Sequence, residues 1–415
     1  MFSERTNWKL AQNRLTEALA EVRAGGAKIL DLTVSNPTRV GLEYDSRAIL
    51  AALSSPRALD YDPQAKGLLQ ARQAVAGYYR DQHGMRELDA ERIVLTTSTS
   101  EGYSFVFRLL SNAGDELLVP KPSYPLFEFL ADLEDVKLVA YPLIYDHGWQ
   151  MDFPSLEKAV TARTRGVVVV HPNNPTGSYV KTGEFGPLNS FCREHGLALI
   201  VDEVFLDYWL EPSGAIAPAQ KEHNRSAESA APPKSRVGSR KPASFAGNRD
   251  VLTFTLSGVS KISALPQMKV AWLVTSGPED EVAASTARLE VIADTYLSMN
   301  APIQWAVPAL LEQRENIQRQ LLDRVGRNLA ELDRQLAGQE VCQRLSVEGG
   351  WYGVLRVPVT RSDEDLAIEL VREKSVVVHP GHFYDFPSDG YLVLSLIAPE
   401  GEFGEGIGRV LEHLN

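Results

Sequence analysis

Residues 197–205 read LALIVDEVF: five apolar side chains, then Asp202 and Glu203, then Val204 and Phe205. A short apolar run of this kind is a strand buried on both faces, and such strands lie in sheets covered by helices on either side. The sequence around it repeats the pattern. RIVLTT (92–97) precedes the helix-like SEGYSFVFRLLSN, DELLVP (115–120) precedes YPLFEFLADL, RGVVVVH (165–171) leads through a loop to FGPLNSFCREHG, and DVLTFTLS (250–257) continues the series. Between about Ile93 and Val274 the chain therefore predicts an α/β unit with a mostly parallel sheet. Ligands of such sheets gather at the carboxyl ends of the strands. Asp202 stands at one of those ends, where an isolated buried carboxylate is costly unless it meets a cation or a donor.

The whole chain sets bounds on this reading. Its 415 residues are too many for one small core and predict two domains. With 44% hydrophobic and 23% charged residues the composition is that of a globular protein, and a net charge of −12 speaks against nucleic acid or an anionic membrane as partner. Two cysteines, Cys192 and Cys342, make neither a disulfide framework nor a four-cysteine zinc site, so no metal is expected and a reduced compartment is. No apolar run reaches membrane-spanning length, and MFSERTNWKLAQNRL reads as an amphipathic arm rather than a signal peptide. The expected location is cytoplasmic. Residues 211–249, rich in Pro, Ser, Ala and charge, read as a mobile surface insertion. From about residue 301, long helical patterns give way to GGWYGVLRVP, SVVVHPG and GYLVLSLI, which predict a smaller α+β domain over 301–415 joined by the arm 1–45. The large domain is expected over 46–300.

The other strand ends carry the informative polar residues. TLSGVSKISALPQMKVAW (255–272) sets Lys261 among small residues between two apolar runs, an unusual place for a lysine without a task. TTSTSEG (96–102) clusters hydroxyls and amides before a helix, the arrangement that receives a phosphate, although a plain helix cap has the same look. HPNNPTG (171–177) adds an amide side chain in a turn, and PSYPLF (122–127) an aromatic one. One ligand satisfies them all: a phosphorylated pyridine aldehyde. Its phosphate takes hydroxyls, amides and a cation; its ring nitrogen takes a carboxylate; its face takes an aromatic; its ring hydroxyl takes a donor; its aldehyde takes an amine. A lysine that forms a Schiff base must first be neutral, which burial promotes.

With these residues in view the chain resembles the class I/II aminotransferases of fold type I, which use pyridoxal 5′-phosphate. YDPQAKG, TTSTSEG, GDELLVPKPSYP, NNPTG, DE, SGVSK and HPG occur in the family's order over almost the whole length. The resemblance implies a fold type I α/β architecture with a seven-stranded sheet and a homodimer with shared active sites. It implies Lys261 as Schiff-base lysine and proton carrier, Asp202 on the ring nitrogen, Asn174 on the ring hydroxyl and Tyr124 stacked on the ring. Ser98, Thr99 and Ser100 would cradle the phosphate, helped by Ser257 or Ser260. Lys269 stands where the family has a phosphate-binding arginine, and Tyr61 matches the tyrosine that reaches the neighbouring subunit's phosphate.

Departures from the pattern are as informative. Phe205 replaces a tyrosine that bonds the ring hydroxyl, and His171 a frequent asparagine. Val393, in YLVLSLI, stands where relatives carry the arginine for the substrate α-carboxylate. Candidate substrate contacts are then Arg39 and Asn36 in SNPTRVG and His382 in PGHFYDF. The implied activity is amino transfer between an amino acid and a 2-oxo acid. A lyase or decarboxylase on the same fold, or a degenerate binding protein, are the alternatives, since fold alone does not decide function.

Overall fold

Strands that alternate with helices in sequence can share one sheet only through crossovers, and the chain does this around Ala198–Asp202. The computed structural model describes residues 2–8, 11–125, 127–210 and 241–415. Its large sheet runs Ile93–Thr96, Ala271–Ser276, Thr253–Gly258, Ala198–Asp202, Thr164–Val170, Glu116–Lys121, Lys137–Tyr145 and Trp149–Met151. The seven expected strands are thus extended by an eighth, three residues long, which turns back antiparallel on its neighbour at the edge. Five consecutive strands from Thr253–Gly258 to Lys137–Tyr145 are parallel. Helices on both faces bury them, as the unbroken apolar runs require.

Ala271–Ser276 is antiparallel to both of its neighbours, so Ile93–Thr96 and Thr253–Gly258 point the same way. Their carboxyl ends meet the entry of Ala271–Ser276 at Ala271, which is paired with both Thr96 and Gly258. This register brings the segments after Thr96, Lys121, Val170, Asp202 and Gly258, together with the one before Ala271, to a single edge.

The C-terminal part forms a second core. An antiparallel sheet of Gln343–Arg344, Tyr352–Arg356, Tyr391–Ser395 and His379–Pro380 packs with the helices Arg314–Leu336, Asp363–Lys374 and Glu400–Leu414. The N-terminal segment joins it: Leu30–Asp31 pairs in parallel with Val376–Val377, and Arg14 bonds Glu364 and Asp365. The helix Ala301–Glu312, beyond the expected boundary at residue 300, packs instead with Ile49, Val75, Tyr79 and Trp272 on the large sheet's side.

The reading of 211–249 as one mobile insertion needs correction at its end. Residues 211–240 lie outside the described residues, but 241–249 pack into the large domain. Phe245 is fully buried against the ring of Phe185, and Glu203 accepts hydrogen bonds from Ser244 Oγ (2.5 Å) and the Phe245 N–H (2.6 Å). Burying one phenylalanine contributes about 1.5–3 kcal/mol, which a low average hydrophobicity over the whole stretch conceals.

Candidate active site

The strand Thr253–Gly258 ends at a glycine because its neighbour is too near for a side chain. A Cβ on Gly258 would lie 2.7 Å from the Val270 carbonyl. The chain then makes a single helical turn, Val259–Ile262, and this turn carries Lys261. The lysine is enclosed by Trp351 and Phe205, whose ring centres lie 4.8 and 5.4 Å from its Nζ. Burial disfavours the ammonium and pushes its pKa down to about 8, against the opposing pull of the Asp202 charge.

Asp202 closes its strand with both carboxylate oxygens engaged. Oδ1 accepts from the Val204 N–H at 3.0 Å and Oδ2 from the Tyr103 hydroxyl at 3.1 Å. Burial pushes this carboxyl up to about 6, and the two donors together with Lys261 oppose the rise. Tyr103, on the helix Thr99–Leu110, escaped the sequence reading, although its place one turn beyond the hydroxyl cluster is the signal that could have found it.

The turn at 171–177 separates two adjacent asparagines. Asn173 spends its amide inside the fold, accepting from Ser123 Oγ and donating to the Pro122 carbonyl and Thr176 Oγ1. Asn174 is also buried, yet its Oδ1 has no partner. A buried amide end left free at a strand-end edge is a place for a ligand's polar atom. Gly177 completes the turn at φ 67°, where a Cβ would come within 2.6 Å of the Gly349 carbonyl.

Ser98 caps the helix Thr99–Leu110, its hydroxyl accepting from the Glu101 N–H at 3.2 Å. Thr99 and Ser100 form the first turn, whose N–H groups have no partner within the helix. Ser260 sits beside Lys261 on the same edge. Ser257 does not face it: its side chain is buried and donates to the Glu203 carbonyl. Lys269 is exposed, at φ 52° just before the strand Ala271–Ser276. Tyr124 is partly exposed beside this edge, its phenol pushed up by burial and by the Asp202 charge.

Phe205 lies beneath Lys261 in an aromatic group with Trp351, Tyr208 and Tyr352. Of these only Phe205 was picked out in the sequence, although the aromatic pair in GGWYG was visible. The C-terminal domain closes over the site: the Ser123 N–H donates to the Tyr384 carbonyl, and Lys121 pairs with Asp385 at 3.0 Å. His382 is exposed and meets Phe383 edge-on, whereas the half-buried His379 bonds the Tyr384 hydroxyl at 3.0 Å. Asn36 caps its own turn by accepting from the Thr38 N–H and hydroxyl, and Arg39 follows it, exposed. Tyr61 is 87% exposed. It lines a pocket of about 400 Å³ with Arg57, Leu297 and Trp305.

Comparison with known proteins bears on what this arrangement does. Residues 27–396 match the family model described as aminotransferase class I and II. The alanine aminotransferase of Mycobacterium tuberculosis is 27% identical over 403 residues, spanning 94% of this chain and 86% of the relative. The glutamate-pyruvate aminotransferase AlaA of Escherichia coli is 29% identical over 293 residues, 70% of this chain and 65% of the relative. Among solved structures, the alanine aminotransferase of Pyrococcus furiosus superimposes with a TM-score of 0.84 at 19% identity, over 100% of this chain and 99% of that one.

Proposed function

Because the chain belongs to the class I and II aminotransferase family, we propose that its enzymatic activity, amino transfer, runs between an α-amino acid and a 2-oxo acid with pyridoxal 5′-phosphate held at Lys261. The observation that carries this reading is the enclosed amine of Lys261 at the strand-end edge shared by Asp202 and the unpartnered amide of Asn174. The donor set fits the cofactor. Lys261 would give the amine for its carbonyl, Asp202 the acceptor for its ring nitrogen, Asn174 the amide for its ring hydroxyl, and Tyr124 the ring face. The first turn at Ser98–Ser100, with Ser260 and Lys269, would take the phosphate. When bound, the cofactor supplies an electron sink that stabilises negative charge at the substrate carbon.

The protein's own part is to bind, orient and move protons. With its pKa near 8, Lys261 has a neutral fraction at pH 7–8 that can accept a proton at Nζ from the substrate α-carbon and return one. Asp202, braced by Tyr103 and the Val204 N–H, would hold a negative charge for the ring nitrogen. Phe205 has no donor to offer the ring hydroxyl, so Asn174 would be its partner. Small amino acids such as alanine and glutamate, with pyruvate as acceptor, are the first substrates to try, after the names of the two relatives.

A homodimer completes the reading. Leu59 and Tyr61 stand 91% and 87% exposed, apolar surface of the kind a second copy would cover, with Tyr61 reaching that copy's phosphate. Cys192 and Cys342, both free and buried, agree with a cytoplasmic location, and among the described residues no helix is long and apolar enough to cross a membrane.

The test is borohydride reduction of the cofactor-loaded protein followed by peptide mapping, then a donor screen. Label on Lys261 and one equivalent of 2-oxo acid per site from donor alone are expected. Label on another lysine, or continuous release of ammonia or carbon dioxide, overturns the reading.

A further inference from the structure

The turn that carries Lys261 is too short to hold itself. Helix nucleation is unfavourable, and the last carbonyls of a helix have no partner within it. Here the Lys261 carbonyl accepts locally from the Ala264 N–H, and donors from three distant parts of the chain bond the carbonyls of Lys261, Ile262 and, just beyond the turn, Ala264. The Tyr208 hydroxyl donates to the Lys261 carbonyl at 2.6 Å, Gln318 Nε2 to the Ile262 carbonyl at 3.0 Å, and the Tyr44 hydroxyl to the Ala264 carbonyl at 2.9 Å. Gln318 Nε2 also donates to Asp207 Oδ2 at 2.7 Å. Both partners of this amide are acceptors, so its NH2 end must face them and both hydrogens are spent.

Asp207 is itself fixed. Its carboxylate accepts from the Tyr78 hydroxyl at 3.1 Å and lies 3.2 Å from His83 Nε2, on the far end of the helix Leu69–His83. Tyr208 also meets Trp351 edge-on at 5.1 Å, and Trp351 is the nearer wall of the lysine's enclosure. One phenol thus braces the backbone of Lys261 and the ring beside its amine.

We propose that Tyr208 and the Asp207–Gln318 pair are positioning residues that set where the Lys261 amine stands. The catalytic consequence rests on the function proposed above; the placement of the amine does not. Misplacing a reacting group by 1 Å costs up to about a hundredfold in rate.

The experiment compares Tyr208→Phe, Gln318→Met and Gln318→Glu with the wild type. Gln318→Met keeps the length and removes the donor; Gln318→Glu keeps the shape and turns an acceptor toward two acceptors. In the holoenzyme kcat is expected to fall about tenfold in each, with the donor KM moving less than about twofold. The isotope effect with α-deuterated donor is expected to rise, because proton transfer becomes the slower step. In the cofactor-free protein, reductive methylation of Lys261 is read by peptide mass spectrometry against Lys66, a buried lysine paired with Glu91 elsewhere in the fold. The Lys261-to-Lys66 ratio is expected to rise severalfold, whereas general loosening would raise both. Folded variants with wild-type kcat, isotope effect and labelling ratio overturn the proposal. If the Gln318 variants do not fold, Tyr208→Phe decides alone, since the Lys261 carbonyl keeps its bond from the Ala264 N–H. If borohydride marks a different lysine, the proposed function falls while the methylation ratio still judges the placement.

Discussion

The amine of Lys261 stands 4.8 Å from the centre of the Trp351 ring, and among the described residues no carboxylate reaches it by a hydrogen bond. The aromatic faces attract a cation, but losing water costs it more, so burial dominates and the folded pKa falls to about 8. Unfolded, the amine titrates near ~10.4. Between those values the unfolded chain binds the extra proton, so this group makes stability rise with pH across that window. Cofactor-free wild type is therefore expected to gain thermal stability relative to Lys261→Met from pH 8 to about 10. Parallel pH profiles of the melting temperature would show that the amine is hydrated in the folded protein.

Asp202→Asn removes the charge and keeps the shape. The Asn Oδ1 can still accept from the Val204 N–H while its NH2 donates to the Tyr103 hydroxyl oxygen, so the fold is expected to stand. Because Asp202 raises the affinity of Lys261 for its proton, the lysine is expected to titrate lower in this variant, read from the pH dependence of its methylation without cofactor. Turnover is expected to drop by at least about a hundredfold, the size of effect seen when a preorganised electrostatic partner is lost. Near-normal turnover would make this aspartate a structural residue.

Phe245 tests the ordered end of the long insertion. Phe245→Ala is expected to cost about 3–5 kcal/mol through the cavity beside Phe185. Ser244→Ala leaves Glu203, whose carboxyl burial pushes up to about 8, with one donor fewer. Replacing all of 211–249 by a short linker removes both contacts and is expected to lower the melting temperature more than replacing 211–240 alone. Equal melting temperatures would return 241–249 to the surface.

How much of this was legible follows from what each signal depends on. The strands around Asp202 were readable because burial on both faces leaves unbroken apolar runs, and their common edge follows from topology once the sheet is parallel. Lys261 and Asp202 stood out as polar residues next to apolar strands, whereas Asn174 was singled out from its turn only by the resemblance of NNPTG to the family motif. Tyr103, Tyr208, Trp351 and Gln318 did not stand out, since each looks like ordinary core or helix surface until folding sets it against Asp202 or the lysine turn. Ser257 was the opposite case. It lies within the lysine motif, but its buried hydroxyl donates to the Glu203 carbonyl on the neighbouring segment. Phe245 was hidden by the polar residues averaged with it.

The substrate carboxylate is the remaining question, and it turns on Val393. This residue is buried in the strand Tyr391–Ser395, paired with Val354 on one side and His379 on the other. Among the described residues, neither strand partner of Val393 is a lysine or arginine. Burial lowers the pKa of His379, and its ring bonds the Tyr384 hydroxyl, so it stays neutral near pH 7. Arg39 is exposed on the turn after Asn36, and among the described residues no carboxylate pairs with it. It is a cation available to an incoming carboxylate. A charge-assisted hydrogen bond contributes about 1.5–3 kcal/mol, so Arg39→Ala is expected to raise the KM for α-amino acids by at least about tenfold. Cofactor absorbance should not change. Val393→Arg, which restores a cation on the strand, is expected to offset the loss for α-amino acids in the double variant. If Arg39→Ala leaves KM unaltered and simple amines outcompete amino acids in the wild type, the donor carries no α-carboxylate, and the amino-acid half of the proposed reaction is wrong.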